Sequence, residues 1–323
     1  MRRERVLGVL LATGLLSISV SALQQAPAGG APTQPAARVV EVDKLKDNLY
    51  MMRGGGGNSA VFITTTGVVV VDTKNPGWGQ PLLEKIKSVT DKPITMIINT
   101  HTHGDHVSGN VEFPATVEVV TQENTAKNME AMRPAFGVTP APDAPKNIFA
   151  ENGRRGMPKK TFKDTMKIGK GSDEIELYYF GRGHTNGDAF VVFPALRFMH
   201  AGDIFSGKNI PLLDSNNGGS GVLIGKTLAK AANSVKNVDS IITGHSTVMT
   251  PADLREYAQF NDDFVATVTA GKKAGKSVDE IAAAWMLPAK YKGYTDPVGG
   301  PSATDATRAR LKNNVQIVYD ELK

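Results

Sequence analysis

Short apolar runs, many of them rich in β-branched residues, recur along the chain and predict buried strands. A first group of runs lies at residues 60–65, 68–71, 95–99 and 117–121. A second group lies at residues 175–180, 189–193, 197–199 and 240–243. Glycine, proline or polar residues bound most of them, as is typical of strands that end in turns. Two groups separated along the chain predict two sheets.

Stretches with the helical spacing of apolar residues alternate with these strands. They span residues 81–89, 123–132 and 223–235. Further helices are predicted after the last strand, at residues 251–270, 277–285 and 303–322. This alternation predicts an α/β or α+β protein, and periodicity alone does not choose between the two classes.

The strand at 95–99 is followed at once by His101, His103, Asp105 and His106, which include three of the chain's 6 histidines. In an extended segment alternate side chains share a face, so His101 and His103 can point at one metal ion. Asp105 and His106 follow the turn at Gly104 and face the other way. Two ions about 3.5 to 4 Å apart accommodate all four side chains, an arrangement that hydrolytic enzymes use.

Further candidate ligands repeat this pattern, because His184, Asp203 and His245 each follow an apolar run and stand beside a glycine. Asp72 ends the run at 68–71. Histidine and carboxylate together suit zinc, and they also accept iron or manganese. The sequence therefore predicts a metal site at the ends of several strands.

The motifs H-x-H-x-D-H at 101–106, G-H-T at His184, G-D at Asp203 and G-H-S at His245 resemble those of the metallo-β-lactamase-fold superfamily in kind, order and position. The likeness spans roughly residues 40–260. It implies a four-layer αββα sandwich, with the metals at the edge where the two sheets meet.

The resemblance also implies three ligands for each of two zinc ions and one bridging carboxylate: His101, His103 and His184 for the first, Asp105, His106 and His245 for the second, and Asp203 between them. In subclass B1 β-lactamases a cysteine stands where this chain has Asp203, and the chain contains no cysteine. Aspartate at this position resembles glyoxalase II and other hydrolase branches of the superfamily.

Together with these residues, the resemblance implies a dinuclear zinc hydrolase that opens an ester, lactone, thioester or amide bond of a small molecule, β-lactams included. Zinc lowers the pKa of its bound water to about 7, so a hydroxide bridging the metals is available at neutral pH. Asp105 is the predicted catalytic residue, because it both binds metal and orients that nucleophile. The alternative is an iron-dependent oxidoreductase of the persulfide dioxygenase kind, and a metal-binding protein without catalysis is a third class.

The sequence leaves two possible roles open for several other residues. Asp72 either fixes a ligand histidine or caps its strand, and His200 is expected in packing or in a pocket wall. Lys208 is either an anchor for a substrate carboxylate or a surface lysine. The glycine run at 54–57 is predicted at the rim of the site. The long insert at 133–160 either overhangs the pocket or forms a solvated loop.

The N-terminal residues predict export. Residues 1–22 join a basic start to an apolar stretch and then to Val20, Ser21 and Ala22, which together are typical of a secretory signal peptide. An uncleaved anchor is the alternative. Residues 23–37 predict a flexible linker, and 38–323 the catalytic domain. We therefore expect a periplasmic or secreted protein without stable membrane insertion.

Charge argues against one class of partner. The net charge of +5 is mild for a chain of 323 residues and is not concentrated in the way that nucleic-acid binding requires. We expect a small-molecule substrate and no nucleic acid. The sequence leaves the oligomeric state open.

Overall fold

The computed structural model describes residues 38–140, 142, 145–299 and 301–323. The predicted signal peptide and linker lie outside these residues. The described chain from Arg38 to Lys323 forms one compact unit. Within it, no helix has both the length and the apolar character needed to cross a membrane.

The first sheet has seven strands that lie side by side in chain order. They are β1 (Glu41–Lys46), β2 (Leu49–Arg53), β3 (Ser59–Ile63), β4 (Val68–Val71), β5 (Ile94–Asn99), β6 (Glu118–Gln122) and β7 (Lys160–Phe162). Strands β1 to β4 pair antiparallel, and β4 to β7 pair parallel. The four predicted strands of this half are confirmed as β3 to β6, whereas β1, β2 and β7 were not predicted.

The second sheet has five strands in the order β12-β11-β10-β9-β8. They are β8 (Thr165–Ile168), β9 (Ile175–Tyr179), β10 (Ala189–Phe193), β11 (Phe198–His200) and β12 (Ser240–Ile242). The pairs are antiparallel except β11 with β12. The strand predicted at 197–199 begins one residue later because Arg197 is in the left-handed conformation, with φ of 59°.

The helices are α1 (Gly79–Lys87), α2 (Gly104–Val107), α3 (Glu123–Ala131), α4 (Ile148–Glu151), α5 (Gly221–Ser234), α6 (Pro251–Lys273), α7 (Val278–Ala284) and α8 (Asp305–Glu321). The predicted helices are confirmed with small shifts at their ends. Only the short α2 and α4 were not predicted, because a single turn carries no helical periodicity.

Alternation along the strands produces the layers. Val69 and Val71 of β4 pack with side chains of the second sheet, whereas Val68 and Val70 pack with Leu82 of α1. On the outer face of the second sheet, residues of β10 and β11 pack with α5, α6 and α8. Successive side chains of a strand point to opposite faces, so each sheet buries both. The predicted order of helix, sheet, sheet and helix is therefore confirmed.

Part of the insert at 133–160 packs against the rest of the domain. Phe149 of helix α4 is buried, and so is Met157 near the end of the insert. Both side chains pack with Val107 and Met129 in a small apolar cluster. The prediction of a solvated loop is therefore wrong for this part, which covers apolar surface beside α2 and α3.

Candidate metal centre

The ends of strands from both sheets meet at one edge and bring the seven predicted ligands together. The loops that follow β5, β9, β11 and β12 each contribute at least one of these side chains. Their donor atoms form two groups in which all atoms lie within 4.8 Å of one another: His101, His103, His184 and Asp203 in the first, and Asp105, His106 and His245 in the second.

In the first group each histidine has one ring nitrogen bonded to the protein and the other directed inward. Nδ1 of His101 lies 3.0 Å from Oγ1 of Thr100, and Nδ1 of His184 lies 2.6 Å from the carbonyl of Leu212. His103 is turned the other way, with Nε2 2.8 Å from Oδ2 of Asp214. The nitrogen that faces inward is therefore Nε2 in His101 and His184 and Nδ1 in His103.

The second group is held in a similar way. Nδ1 of His106 lies 2.7 Å from Oδ2 of Asp72, and its Nε2 faces the group, 3.4 Å from Nε2 of His245. Oδ2 of Asp105 is 3.2 Å from Nε2 of His245 and 3.5 Å from Nε2 of His106. His106 is buried, whereas the side chains of Asp105 and His245 are 28% and 40% exposed and so face the opening.

Asp203 lies between the two groups. Its Oδ2 is 3.1 Å from Nε2 of His245 and 3.9 Å from Nε2 of His184. Its Oδ1 is 3.2 Å from Nε2 of His106. This is the place that the resemblance assigned to a bridging carboxylate.

Asp72 has a clear role in this arrangement. One carboxylate oxygen accepts the backbone N–H of Thr100 at 2.8 Å, and the other accepts both the Thr100 hydroxyl and the His106 ring. Asp72 is fully buried and has a φ of 63°, a conformation that costs a non-glycine residue free energy. It therefore fixes one predicted ligand, His106, directly and, through Thr100, touches a second, His101.

The electrostatics of the two groups differ. Burial and the neighbouring rings hold the pKa of His101 well below its usual value, and burial lowers the pKa of His184 to about 4. These rings are therefore neutral, as metal binding requires. Burial opposes protonation of His245, but the carboxylates of Asp203 and Asp105 outweigh it and raise its pKa to about 9. The second group thus attracts positive charge.

The residues fit a metal. Nε2 of His101 is buried and has no hydrogen-bond partner, although buried polar atoms are nearly always paired. Oδ1 of Asp203 is also buried and makes no hydrogen bond of good geometry, although it lies 3.2 Å from Nε2 of His106. Imidazole nitrogens and carboxylate oxygens with bonded outer atoms are the donor set that zinc uses in hydrolytic sites.

The glycine run forms a wall over the second group. Gly57 donates its N–H to the carbonyl of Asp105 at 3.1 Å, and Asn58 donates to the carbonyl of Gly244 at 2.7 Å. His200, buried as expected, places Nε2 3.0 Å from the carbonyl of Asn58. The predicted position at the rim is confirmed, and the wall consists of backbone.

Lys208 does not act as a free anchor. Its Nζ lies 2.7 Å from Oδ1 of Asp253 and 3.0 Å from Oε1 of Glu256, both on α6. The charge that a substrate carboxylate would need is therefore already paired. The start of the insert does reach the site, because the N–H of Phe136 donates to Asp214 at 3.0 Å.

Sequence reasoning missed Asp214 and Lys74. Asp214 is buried against His103, which lies 111 residues earlier in the chain. Lys74 is buried, and its Nζ donates to the carbonyls of Met52 and Gly57 at 2.6 and 2.5 Å. Neither residue belongs to a spacing motif, and only the burial of such polar groups would have identified them.

Comparison with known proteins agrees with this geometry. Residues 52–250 match the model of the metallo-beta-lactamase superfamily. The chain belongs to this superfamily.

Two curated relatives illustrate its range. The chain is 28% identical over 177 residues to the metallo-beta-lactamase type 2 of Elizabethkingia meningoseptica, covering 51% of this chain and 62% of the relative. It is 30% identical over 145 residues to the 2,4-dinitroanisole O-demethylase subunit alpha of Nocardioides sp. (strain JS1661), covering 44% and 39%. The matched regions thus span less than two thirds of either relative.

Solved structures share the fold. The metallo-beta-lactamase from Pontibacter korlensis has a TM-score of 0.55 and 20% identity, covering 69% of this chain and 99% of that one. A double mutant of the sec-alkyl sulfatase PisA1 has a TM-score of 0.63 and 16% identity, covering 87% and 50%. Relatives that resemble this chain therefore carry names of different reactions, so the fold does not define the substrate.

Proposed function

We propose that the protein is a metal-dependent hydrolase that binds two zinc ions and cleaves an ester, lactone, thioester or amide bond of a small molecule. The first ion would be held by His101, His103 and His184, the second by Asp105, His106 and His245, and Asp203 would contact both. Zinc, when bound, polarises a substrate oxygen and makes water acidic enough to attack at neutral pH.

The observation that carries this proposal is that the two nitrogens of each histidine ring make different contacts. In His101, His103, His106 and His184 one nitrogen is bonded to Thr100, Asp214, Asp72 or Leu212, and the other faces the donor groups. Such bonds fix the tautomer of the ring and raise its basicity as a ligand. In an ordinary cluster of buried histidines both ring nitrogens would have hydrogen-bond partners, whereas here Nε2 of His101 has none.

Two partly exposed side chains at the opening of the site, those of Asp105 and His245, would act on the water and the substrate. Asp105 accepts a proton or orients the attacking water through Oδ2, which lies among the second group. His245 is the more exposed neighbour and is placed to meet the departing part of the substrate. The backbone wall at Gly57 keeps bulk water from the buried ring of His106.

Metal analysis of the purified protein tests the first part of this proposal. We expect about two zinc ions per chain, and Asp203→Ala should lower the content or the affinity because both groups lose a carboxylate. Iron as the bound metal, with oxygen uptake and no hydrolysis, would instead support the oxidoreductase alternative. Unchanged stoichiometry and affinity in the variant would remove Asp203 from the site.

A substrate panel tests the second part. It should contain chromogenic esters, lactones, thioesters and β-lactams, together with an aryl methyl ether and a secondary alkyl sulfate, which reflect the names of the relatives. Hydrolysis that zinc restores after chelation is the expected result. A fully metal-loaded protein that cleaves none of these bonds contradicts the proposed activity.

Asp105→Asn is the sharpest variant for the mechanism. The amide keeps the size of the side chain but loses its negative charge, so water is oriented less well. We expect kcat to fall at least about 100-fold, or roughly 2.7 kcal/mol of transition-state stabilisation, at saturating zinc. Saturating zinc separates lost chemistry from lost affinity. A variant within a few-fold of the wild type would exclude this role of Asp105.

We also propose that the protein acts in the periplasm or outside the cell, on the strength of the signal-like residues 1–22. Intact-mass measurement of protein from the native compartment should give a chain that starts at or near Leu23. Retention of Met1 would contradict cleavage.

A further inference from the structure

A single turn fixes two of the three histidines in the first group. His184 places Nδ1 2.6 Å from the carbonyl of Leu212, and the N–H of Asp214 donates to the His184 carbonyl at 3.0 Å. Nε2 of His103 lies 2.8 Å from the Asp214 carboxylate. The position of residues 212–214 therefore decides where the inward nitrogens of both rings point.

The helix α8 holds this turn from behind. Nδ2 of Asn314 donates to the carbonyl of Pro211 at 2.8 Å, next to the Leu212 carbonyl that binds His184. Near the end of α8, Oε2 of Glu321 accepts both the hydroxyl of Ser220 and the N–H of Val222 at 3.0 Å. The helix thus contacts the segment on both sides of the turn.

Asn314 occupies a position where an apolar residue would pack more favourably. It is 1% exposed and lies on the buried face of α8 beside Leu311, Val315 and Val318. A buried amide costs free energy unless it is hydrogen-bonded, and an aliphatic side chain would dock the helix without that cost. The amide therefore specifies the place of the Pro211 carbonyl, which packing alone does not define.

We propose that Asn314 is a positioning residue for the metal centre and that α8 sets the affinity and geometry of the first site through the 211–214 segment. The link is short, because the two carbonyls belong to adjacent residues and only φ and ψ of Leu212 lie between the Asn314 contact and the Leu212 carbonyl. Helix α8 lies outside the region that matches the superfamily model, which ends at residue 250. The inference rests on the proposed metal-binding function.

Asn314→Leu tests the proposal in the full-length protein. Leucine fills a similar volume without a donor, so α8 should stay docked while the Pro211 carbonyl is released. We expect one of the two Co²⁺ ions to bind at least about tenfold more weakly in chelator competition, the size typical of lost contacts behind a ligand. The visible spectrum of the Co²⁺ protein should also shift, because the ring of His184 changes its angle.

Two further variants separate the donor from packing. Gln316→Leu is the matched control, because its amide bonds only to Asp320 on the same helix, and its Co²⁺ affinity and spectrum should equal those of the wild type. Asn314→Ala also lacks the donor but leaves a cavity, so it should weaken Co²⁺ binding at least as much as Asn314→Leu. An effect in Asn314→Ala alone would assign the role to volume and overturn the proposal.

The outcomes also distinguish this inference from the proposed function. Asn314→Leu with wild-type Co²⁺ affinity and spectrum, in a protein that hydrolyses its substrate, overturns the inference and leaves the function intact. Altered affinity and spectrum in a protein that binds two metals but hydrolyses nothing supports the inference and contradicts the hydrolase.

Discussion

At the scale of single residues, Lys74 combines complete burial with a charge that ordinarily requires water. Burial lowers the pKa of its ammonium to about 7. A neutral amine has two protons to donate, and Nζ faces two acceptors, the carbonyls of Met52 and Gly57. The folded protein therefore releases a proton from Lys74 that the unfolded chain retains up to a pH near 10.5.

The lowered pKa predicts how stability depends on pH. Between pH 7 and about 10 the unfolded chain binds more protons than the folded one, so this residue makes the free energy of unfolding rise with pH. The slope approaches 1.4 kcal/mol per pH unit for one proton. Lys74→Met should lack this contribution, and below pH 7 it should show little pH-dependent difference from the wild type.

Denaturant titrations of both proteins in chelator, at several values of pH from 6 to 10, measure that difference. The chelator removes the effect of metal binding on stability. Parallel curves for the wild type and Lys74→Met across the whole range would mean that Lys74 keeps its ordinary pKa in the folded protein.

The sequence predicted which candidate ligands the fold brings together, but not the residues that orient most of them. Four candidate ligands are visible in the sequence because they are neighbours in the chain and follow a strand: His101, His103, Asp105 and His106. Asp214 becomes important only because the fold brings it to His103. Such a role depends on tertiary contact, which no local pattern records.

At the scale of elements, the loop between β2 and β3 depends on glycine. A Cβ on Gly57 would lie 2.1 Å from Cε1 of His106, and one on Gly56 would lie 2.5 Å from the carbonyl of Asp105. Gly56 also has a φ of 130°, where other residues are strained. The loop can approach the second group only because it has no side chains.

Gly57→Ala should therefore displace either the loop or the ring of His106. We expect a loss of one metal ion per chain, or at least about tenfold weaker binding of the second, since His106 is a ligand on our reading. Metal content and chelator competition measure this. Gly153→Ala is the control for backbone strain without a clash: its φ is 62°, but its Cβ would meet nothing within 4 Å, so its metal content should be unchanged.

The strands that the sequence missed lie mostly at the edges of sheets. β1 is largely exposed and polar, and β7 is only three residues long. Edge strands pair on one side and need no continuous apolar pattern, so hydrophobic periodicity does not reveal them. The central strand β4 consists of four buried valines and β5 is mostly β-branched, so hydrophobic periodicity does reveal these two strands.

At the scale of the whole molecule, the two sheets supply different halves of the site. His101, His103, Asp105 and His106 follow the first sheet, and His184, Asp203 and His245 follow strands of the second. Metal would therefore join the sheets as well as serve the chemistry. Binding that requires the folded arrangement stabilises it.

Metal removal should accordingly lower the melting temperature. Free zinc at about 1,000 times its dissociation constant contributes roughly 4 kcal/mol. At about 2 to 4 °C per kcal/mol, the wild type should melt roughly 10 °C lower after chelation and recover when zinc is added. Differential scanning calorimetry measures the shift. His184→Ala should respond much less, and equal melting with and without zinc in the wild type would contradict a site that spans both sheets.

The four layers could be predicted only through the resemblance, because alternation and length do not reveal which faces of two sheets pack together. The C-terminal helices were predicted from periodicity, but their task was not. That α8 contacts the Pro211 carbonyl depends on a fold in which residues 103 positions apart are neighbours.

The order of these elements along the chain has a consequence for biosynthesis. A ribosome releases His101 to His106 long before His245, and Asn314 emerges later still. A nascent chain can thus offer a partial set of the proposed donors to any metal it meets, and the set is complete only after His245 has emerged. Loading of the proposed site with metal should therefore be a late event, and early capture of another ion is the hazard that this order of residues creates.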